Sequence, residues 1–329
     1  MSRTLPPLSD LLDSARVVAL PMATRFRGID VREAVLFEGP EGWAEFSPFV
    51  EYDDAEASTW LAAAIDDAWM PRPPALRDVV GVNATVPAVP AGGVAAVLAR
   101  FDGCRTAKVK VAEPGQTLGD DVARVRAVRE ILGAEGRVRV DANGGWNVDE
   151  AERAIHALAE YDLEYAEQPC ATVDELAELR RRVKYMGVPI AADESVRKAA
   201  DPLAVARAGA ADLLVVKAQP LGGVRRALEI VAQAGLPAVV SSALDTAVGI
   251  SMGVALAAAL PDLDYDCGLG TGSLFTADVA DYGVVAGSLP VGRVTPDAAR
   301  LDEFAASPDR REWWIGRLER CWAALESAD

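Results

Sequence analysis

The sequence predicts an α/β protein: a (β/α)7β TIM-like barrel joined to an α+β domain. Between residues 81 and 267, short apolar strands alternate with helical segments, which is typical of a parallel sheet whose crossover connections are helices. The strands of this kind number eight, which favours a closed barrel over an open sheet. Ahead of them, residues 16–49 contain three strand-like runs separated by turn residues, as an antiparallel meander does.

The α+β domain is expected to consist of residues 1–80, with 271–329 returning to it after the barrel at 81–270. Its strands fall within 16–49, with a loop at 21–30, and a helix over 54–69 follows that Asp53 and Asp54 can cap. The proline-rich run at 70–74 ends that helix and makes a short, stiff linker. Near the C-terminus, a tryptophan-rich helix is predicted to pack back on this domain through Trp313, Trp314, Leu318 and Trp322.

The barrel elements follow in order. We expect its strands near 81–87, 106–111, 137–141, 163–167, 189–193, 212–216, 237–241 and 263–267. The helices are expected at about 92–101, 117–132, 147–160, 172–186, 199–208, 222–234 and 245–259. Because 271–290 is glycine-rich and irregular, the last barrel helix is predicted to be missing or displaced.

Charged side chains occur late in five successive barrel strands. A parallel sheet is buried on both faces, so a charge there is costly unless it is paired or bound to a metal. One such charge can be a simple strand-end cap, but five in series favour a functional site at the C-terminal ends of the strands. The residues are Lys110, Asp141, Glu167, Asp193 and Lys217, and Lys108 shares a strand face with Lys110.

The residue types indicate the chemistry. Only five of the 33 basic residues are lysines, and three of those five lie on these strands. Arginine stays protonated, whereas a buried lysine can shift its pKa and act as a base. The carboxylates of Asp141, Glu167 and Asp193 are hard oxygen ligands, which suit Mg²⁺ better than Zn²⁺.

Five short motifs at these positions resemble the signature of the enolase superfamily, in its muconate-cycloisomerase-like subgroup. They are KVK at 108–110, DAN at 141–143, AEQP at 166–169, ADES at 192–195 and VVK at 215–217. The resemblance covers nearly the whole chain and implies that the α+β domain caps the barrel. It also implies that Lys110 and Lys217 are the catalytic residues, one on each face of the substrate. Asp141, Glu167 and Asp193 would then bind Mg²⁺, for which Mn²⁺ can substitute.

Further site residues are expected around this set. Lys108 is a supporting partner, Glu194 is expected to hold a lysine or a metal-bound water, and Asn143 shares a strand face with Asp141. Glu194 can equally be a satisfied strand-end carboxylate, and Arg27, in a loop that closes over the site in relatives, can equally be a solvated loop arginine. The 268–272 loop is either a carboxylate-binding loop or simply a tight turn. The expected substrate-binding residues are Arg27, Ser241, Ser242, Gly268, Leu269, Gly270 and Thr271.

The resemblance implies a Mg²⁺-dependent dehydratase. It removes the α-proton of a cyclohexadiene carboxylate and then eliminates water from the same face, through an enediolate, to give an aromatic product. The stretches SSALDTAVG and DCGLGTG favour this activity. A racemase of N-acyl amino acids or a dipeptide epimerase stays open, since Asp264 and Asp266 resemble an ammonium-binding pair. A non-catalytic barrel is the third interpretation, and the intact set of five residues argues against it.

Composition narrows the partners. A net charge of −17 argues against nucleic acid and anionic membranes, but not against a small carboxylate substrate, because a bound cation can invert the local field. Four scattered cysteines and no apolar signal segment predict a reduced, cytoplasmic protein. The apolar run at 247–260 is too short to span a bilayer and is expected to be a buried helix. The only histidine, His156, lies within a predicted helix, so histidine chemistry is not expected. The sequence does not predict an oligomeric state.

Overall fold

The structure is a computed structural model that describes residues 5–197 and 201–328. Its strands are β1 (Arg16–Phe26), β2 (Ile29–Gly39), β3 (Gly42–Phe46), β4 (Val79–Gly81), β5 (Ala84–Val86), β6 (Thr106–Lys110), β7 (Arg137–Asp141), β8 (Leu163–Glu167), β9 (Ile190–Ala192), β10 (Leu213–Val216), β11 (Ala238–Val240) and β12 (Ser288–Pro290). Its α-helices are α1 (Leu8–Ser14), α2 (Asp54–Trp69), α3 (Val94–Leu98), α4 (Leu118–Leu132), α5 (Val148–Leu158), α6 (Val173–Val183), α7 (Glu194–Arg197), α8 (Ala204–Ala208), α9 (Val224–Ala234), α10 (Ala247–Ala259), α11 (Ala298–Glu303) and α12 (Pro308–Ala328).

Strands β5 to β11 form one parallel sheet in chain order. The two edges are joined by the segment 267–268, because Cys267 bridges Val82 beside β5 and Gly268 bridges Ser241 beside β11. The Gly268 N–H also donates to the Val240 carbonyl at 2.8 Å. The predicted (β/α)7β barrel is therefore confirmed. Its eighth strand is shorter than the expected 263–267, since only the end of that range pairs with its neighbours.

Strands β1, β2 and β3 form the antiparallel sheet of the capping domain. The expected loop at 21–30 is wrong: β1 runs on to Phe26, which pairs with Ile29 across a two-residue turn. Arg27 and Gly28 both have positive φ, at 51° and 77°, as such a turn requires. Pro21 suggested a break in the strand. It is tolerated because β1 is an edge strand and its register shifts between Pro21 and Phe26.

Three successive barrel helices begin with a capping box. Thr117, Asn147 and Thr172 each accept a hydrogen bond from a backbone N–H three residues later, and an acidic side chain there bonds back to the cap residue's N–H. Each cap stabilises its helix by about 1 kcal/mol. These helices follow β6, β7 and β8, so the caps also define where the loops after Lys110, Asp141 and Glu167 end.

The C-terminal helix α12 packs on the cap, as predicted. Trp314 is fully buried against Phe46, with ring centroids 6.1 Å apart, and its indole N–H donates to Glu33 at 2.9 Å. Arg320 pairs with Asp54 at the start of α2. The last barrel helix is displaced, as expected: residues 275–297 contain no α-helix, and α11 and α12 follow only after them.

Two other element predictions need comment. Helix α7 was not predicted, and of the expected helix at 199–208 the structure has α8; residues 199 and 200 lie outside the described chain. Along the described ranges, none of the helices combines the length and apolarity that crossing a bilayer demands.

Candidate active site

The charged strand ends meet on one side of the barrel. In the sheet register, Lys110 lies opposite Asp141, and Asp141 lies opposite Glu167. Asp193 follows β9 and Lys217 follows β10, and both are buried. Because parallel strands end at the same edge of a sheet, side chains distant in sequence become neighbours in a single layer.

The lysines of β6 bridge the first two carboxylates. Lys108 donates to both oxygens of Glu167, at 2.9 and 3.0 Å, and lies 3.3 Å from Asp141. Lys110 donates to Oδ2 of Asp141, the same oxygen that Lys108 approaches, and, at 2.6 Å, to the side-chain oxygen of Asn143. Asn143 in turn donates to Glu194 at 3.2 Å.

Arg197 connects the group around Lys110 and Asn143 to the pair formed by Asp193 and Lys217. Its guanidinium donates to Glu194 at 2.7 Å, to Asp193 at 3.0 Å and to the Tyr52 hydroxyl at 3.2 Å. Asp193 also accepts a hydrogen bond from Lys217 at 2.5 Å. The contacts form one continuous chain, which runs through Lys217, Asp193, Arg197, Glu194, Asn143, Lys110, Asp141, Lys108 and Glu167. It contains four carboxylates and four cations, so its formal charges cancel.

Burial and pairing move the pKa values in different directions. Burial alone would lower the pKa of Lys108, but Glu167 and Asp141 outweigh it and hold the pKa above its ordinary value. Burial lowers the pKa of Lys217 despite its contact with Asp193. Burial would raise the pKa of Asp193, yet the charges of Lys217 and Arg197 lower it to about 2. Burial thus weakens the preference of Lys217 for its charged form, which the neighbouring carboxylate of Asp193 still stabilises.

The carboxylates of Asp141, Glu167 and Asp193 suit a divalent cation in their chemistry. All three are hard oxygen donors, and all three are buried on neighbouring strand ends. Each now meets an ammonium or guanidinium group instead. Across 5–197 and 201–328, no three acidic, histidine or cysteine side chains converge as a preformed metal site. A divalent ion in this layer would take the place of lysine contacts.

A small cavity lies beside the lysines. Its volume is about 30 Å³, which is the size of one water molecule. Its lining comes from both domains: Phe26, Arg27, Thr85, Lys108, Lys110, Asp141, Asn143, Lys217, Ser241, Ser242, Ala243, Leu244 and Thr271. A vestibule of about 610 Å³ lies outside it, and Phe26, Arg27, Lys110 and Asn143 border both spaces. A substrate larger than water does not fit in the small cavity alone, and Lys110 is also reached from the vestibule.

The predicted loop residues divide into two groups. Ser241, Ser242 and Thr271 line the small cavity, and the hydroxyls of Ser242 and Thr271 lie 2.6 Å apart. Gly268 pairs with Ser241, and its N–H is already bonded to Val240, so that amide is not free for a carboxylate.

Leu269 and Gly270 also serve packing. A Cβ at Gly253 of α10 would lie 2.6 Å from Leu269, and a Cβ at Gly270 would lie 2.9 Å from the Asn83 carbonyl. The close approach of the chain here is thus a packing requirement.

Sequence reasoning missed several lining or network residues: Phe26, Thr85, Ala243 and Leu244 in the cavity wall and Arg197 in the network. Thr85 pairs with Lys108 in the sheet, and its buried hydroxyl has no hydrogen-bond partner in the described chain. The period of 2 along β5 is the signal that would have found it. Arg197 follows Asp193 by four residues, a spacing that indicates contact only if α7 is expected. Leu244 lines the cavity and has a φ of 65°. No sequence pattern predicts either feature.

Three other features lie away from this site. His156 is 2.8 Å from the hydroxyl of Tyr185, an exposed side chain outside the barrel. Asp266 accepts a hydrogen bond from Thr106, at the start of β6 and thus at the opposite end of the strands from Lys110. An apolar groove of about 610 Å³ between α9 and the end of α10 contains none of the predicted site residues.

The family described as "Enolase C-terminal domain-like" matches residues 94–291, and "Enolase N-terminal domain-like" matches residues 17–68. Among solved structures, muconate lactonizing enzyme from Pseudomonas putida has a TM-score of 0.73 at 20% identity, over 89% of this chain and 98% of that one. The L-Ala-D/L-Glu epimerase from Bacillus subtilis has a TM-score of 0.71 at 21% identity, over 86% and 96%. At such identities these structures support the fold alone.

Curated relatives are more similar. The o-succinylbenzoate synthase of Mycobacterium tuberculosis is 61% identical over 327 residues, which cover 99% of this chain and 98% of that protein. The o-succinylbenzoate synthase of Mycobacterium ulcerans is 60% identical over 320 residues, which cover 97% and 96%. The chain therefore belongs to the o-succinylbenzoate synthase family of the enolase superfamily.

Proposed function

We propose that this protein is a Mg²⁺-dependent dehydratase, an o-succinylbenzoate synthase of menaquinone biosynthesis. It converts 2-succinyl-6-hydroxy-2,4-cyclohexadiene-1-carboxylate into 2-succinylbenzoate and water. The observation that carries the proposal is the 61% identity with synthases of that name over 99% of this chain. The buried network of lysines and carboxylates supports it, because this reaction needs a base and a counter-charge for a carboxylate.

The proposed roles divide between the two strand-end lysines. Lys110 takes the proton from the carbon next to the ring carboxylate and returns it to the departing hydroxide on the same face. Lys217 lies over the other face as an ammonium group, where it stabilises negative charge spread over the ring. Asn143 and Lys108 orient Lys110 and its partner Asp141 through their contacts.

The metal ligands in this proposal are Asp141, Glu167 and Asp193. A bound Mg²⁺, or Mn²⁺ in its place, supplies positive charge to the substrate carboxylate as the α-proton leaves. Their oxygen-only donor set supports Mg²⁺ over softer metals.

The charge of the site supports this substrate class. The connected network has four carboxylates and four cations, so it is formally neutral. The proposed substrate carries two carboxylates, and Mg²⁺ carries two positive charges. Metal and substrate together would add no net charge to the buried layer, whereas either alone would add two charges, which is costly in a buried site.

An epimerase on the same residues has less support. The ammonium-binding role considered for Asp264 and Asp266 requires carboxylates at the reacting end of the barrel. Asp266 instead bonds to Thr106 at the start of β6. The likeness to the Bacillus epimerase, at 21% identity, concerns the fold alone.

The test is direct. Purified protein is incubated with the cyclohexadiene substrate and Mg²⁺, and formation of the aromatic product is followed by its ultraviolet absorbance. We expect turnover that EDTA abolishes and Mg²⁺ restores. An N-succinyl amino acid, offered separately under the same conditions, tests racemisation. Rapid racemisation without dehydration would contradict the proposal.

The proposal also covers the cellular location and the domain limits. We infer a cytoplasmic location, which the four unpaired thiols support. The domain limits of 1–80, 81–270 and 271–329 remain predictions.

A further inference from the structure

One buried arginine of the cap reaches into the barrel. Arg32 lies on β2 and is only 3% exposed. Its Nε donates to the Leu244 carbonyl at 3.0 Å, and its Nη2 lies 3.4 Å from the Ala243 carbonyl. The same Nη2 donates to the carbonyl of Ser47, in the cap. A single guanidinium thus connects the cap backbone to the loop that follows β11.

The connected loop, residues 241–246, is both strained and part of the cavity wall. Leu244 has a φ of 65°, a conformation that is unfavourable for a leucine and persists only when its surroundings hold it. Ala243 and Leu244 line the small cavity together with Ser241 and Ser242. A carbonyl at the strained residue is therefore held at a place where a shift changes the shape of the site.

Arg32 also contacts the aromatic ring on which the hairpin tip packs. Its guanidinium carbon lies 4.4 Å from the centre of the Phe49 ring, and that of Arg27 lies 4.2 Å from the same ring. A cation over an aromatic ring is attracted by the partial negative charge on the face of that ring. Arg27 borders both the cavity and the vestibule. Phe49 consequently connects the position of Arg27 to that of Arg32.

The rest of the loop is attached to the cap independently. Glu45 on β3 accepts hydrogen bonds from the N–H of Thr246 at 3.0 Å and from Gly249 at 2.9 Å, at the start of α10. This contact fixes the end of the loop but not its middle. Among the cap contacts described for the loop, the bonds from Arg32 are those that reach Ala243 and Leu244.

We propose that Arg32 is a positioning residue. It holds the strained 241–246 loop in the wall of the small cavity. Through Phe49, it also holds the hairpin tip at Arg27 against the same cavity. Both contacts keep the cavity in shape and so set the affinity for the substrate. It contacts no reacting atom. The kinetic part of this inference rests on the proposed dehydratase function, whereas the positional part does not.

The first test replaces the donors and keeps the length of the side chain. In Arg32→Met, hydrogen–deuterium exchange of amides in 241–249 should become faster. KM should rise about tenfold with kcat within about threefold, because binding rather than chemistry is affected. Arg32→Lys, which keeps one charged donor, should fall between wild type and Arg32→Met, and it serves alone if the methionine variant does not fold.

A matched control is available at the other end of α10. Arg77 donates to the carbonyls of Ala257 and Leu260, at 2.5 and 2.9 Å, so it uses the same chemistry far from the cavity. Arg77→Met should lower thermal stability without changing exchange in 241–249 or KM. Equal effects of Arg32→Met and Arg77→Met on both readouts would overturn the inference.

A double-mutant cycle tests the strain itself. Glycine adopts positive φ without cost, so Leu244→Gly removes the need for Arg32 to hold this conformation. The effect of Arg32→Met on exchange and KM should therefore be smaller in the Leu244→Gly background than in wild type. Strictly additive effects would refute a role in holding the strained loop. If wild type lacks dehydratase activity, the function fails, and amide exchange alone still decides the role of Arg32.

Discussion

The Nζ of Lys110 lies 2.6 Å from the side-chain oxygen of Asn143, and this contact gives the lysine a second fixed partner besides Asp141. Asn143 is itself held by its bond to Glu194. Its φ of 47° is one that asparagine tolerates better than most residues. The amide thus orients the lysine without adding charge beside it.

Removal of this amide should slow the chemical step. Asn143→Gly keeps the positive φ and deletes the side chain, so we expect kcat to fall about 10- to 100-fold because Lys110 is less well oriented. KM should change less. Steady-state kinetics measures both, and circular dichroism checks the fold. An unchanged kcat would show that Asp141 orients the lysine alone.

Replacement of Lys110 and replacement of Lys217 should have different effects on the reaction. With a carboxylate that cannot eliminate, in D₂O, Lys110→Ala should stop α-proton exchange from one face only, since the proposed base for that face is gone. Lys217→Ala should slow dehydration by about 10³-fold or more, as loss of an electrostatic stabiliser does, and leave some exchange by Lys110. NMR follows the exchange. Near-normal dehydration by Lys110→Ala would contradict its role as base and acid.

The metal prediction concerns Asp193. Asp193→Asn should abolish Mg²⁺ binding in calorimetry and turnover in the kinetic assay, because it removes one anionic ligand. Asp281→Asn changes an exposed carboxylate and should leave both readouts as in wild type. Full activity after exhaustive EDTA treatment is the result that would rule out the metal role.

Asp278 should make stability depend on pH. Its carboxylate accepts backbone N–H bonds from Ala247 and Val279, but burial raises its pKa from 3.8 to about 7. The native state therefore binds more protons at this site than the unfolded state between those values. Its contribution to stability is complete below pH 3.8 and is lost as the pH rises through about 7.

Substitution of Asp278 isolates that contribution. Asp278→Asn cannot titrate at this position. The difference between its melting temperature and that of wild type should therefore shift in favour of the variant as the pH rises from about 5 to about 8. Thermal unfolding at several pH values measures the difference, in which other titrating groups cancel. Asp262→Asn, at an exposed carboxylate beyond the other end of α10, should give a constant difference. A constant difference for Asp278→Asn as well would show that burial does not raise this pKa.

Much of the site could be predicted from the sequence. Strand periodicity is a property of neighbouring residues, and successive βα units place their strands side by side. Once β6 to β10 are recognised as consecutive parallel strands, Lys110, Asp141 and Glu167 must meet at one edge. The helix starts at Thr117, Asn147 and Thr172 follow from cap chemistry within four residues. These features require no knowledge of distant contacts.

The sequence by itself determined the barrel, the order of its strands and the layer of lysines and carboxylates, because repeated βα units place consecutive parallel strands side by side. Only the tertiary structure decided the rest. Arg32 and Leu244 are 212 residues apart in the chain, and their contact depends on how the cap sits on the barrel. The same holds for Arg27 and Phe49, whose packing carries the hairpin tip to the cavity. Contacts between domains arise from the matching of two folded surfaces, which no local pattern encodes.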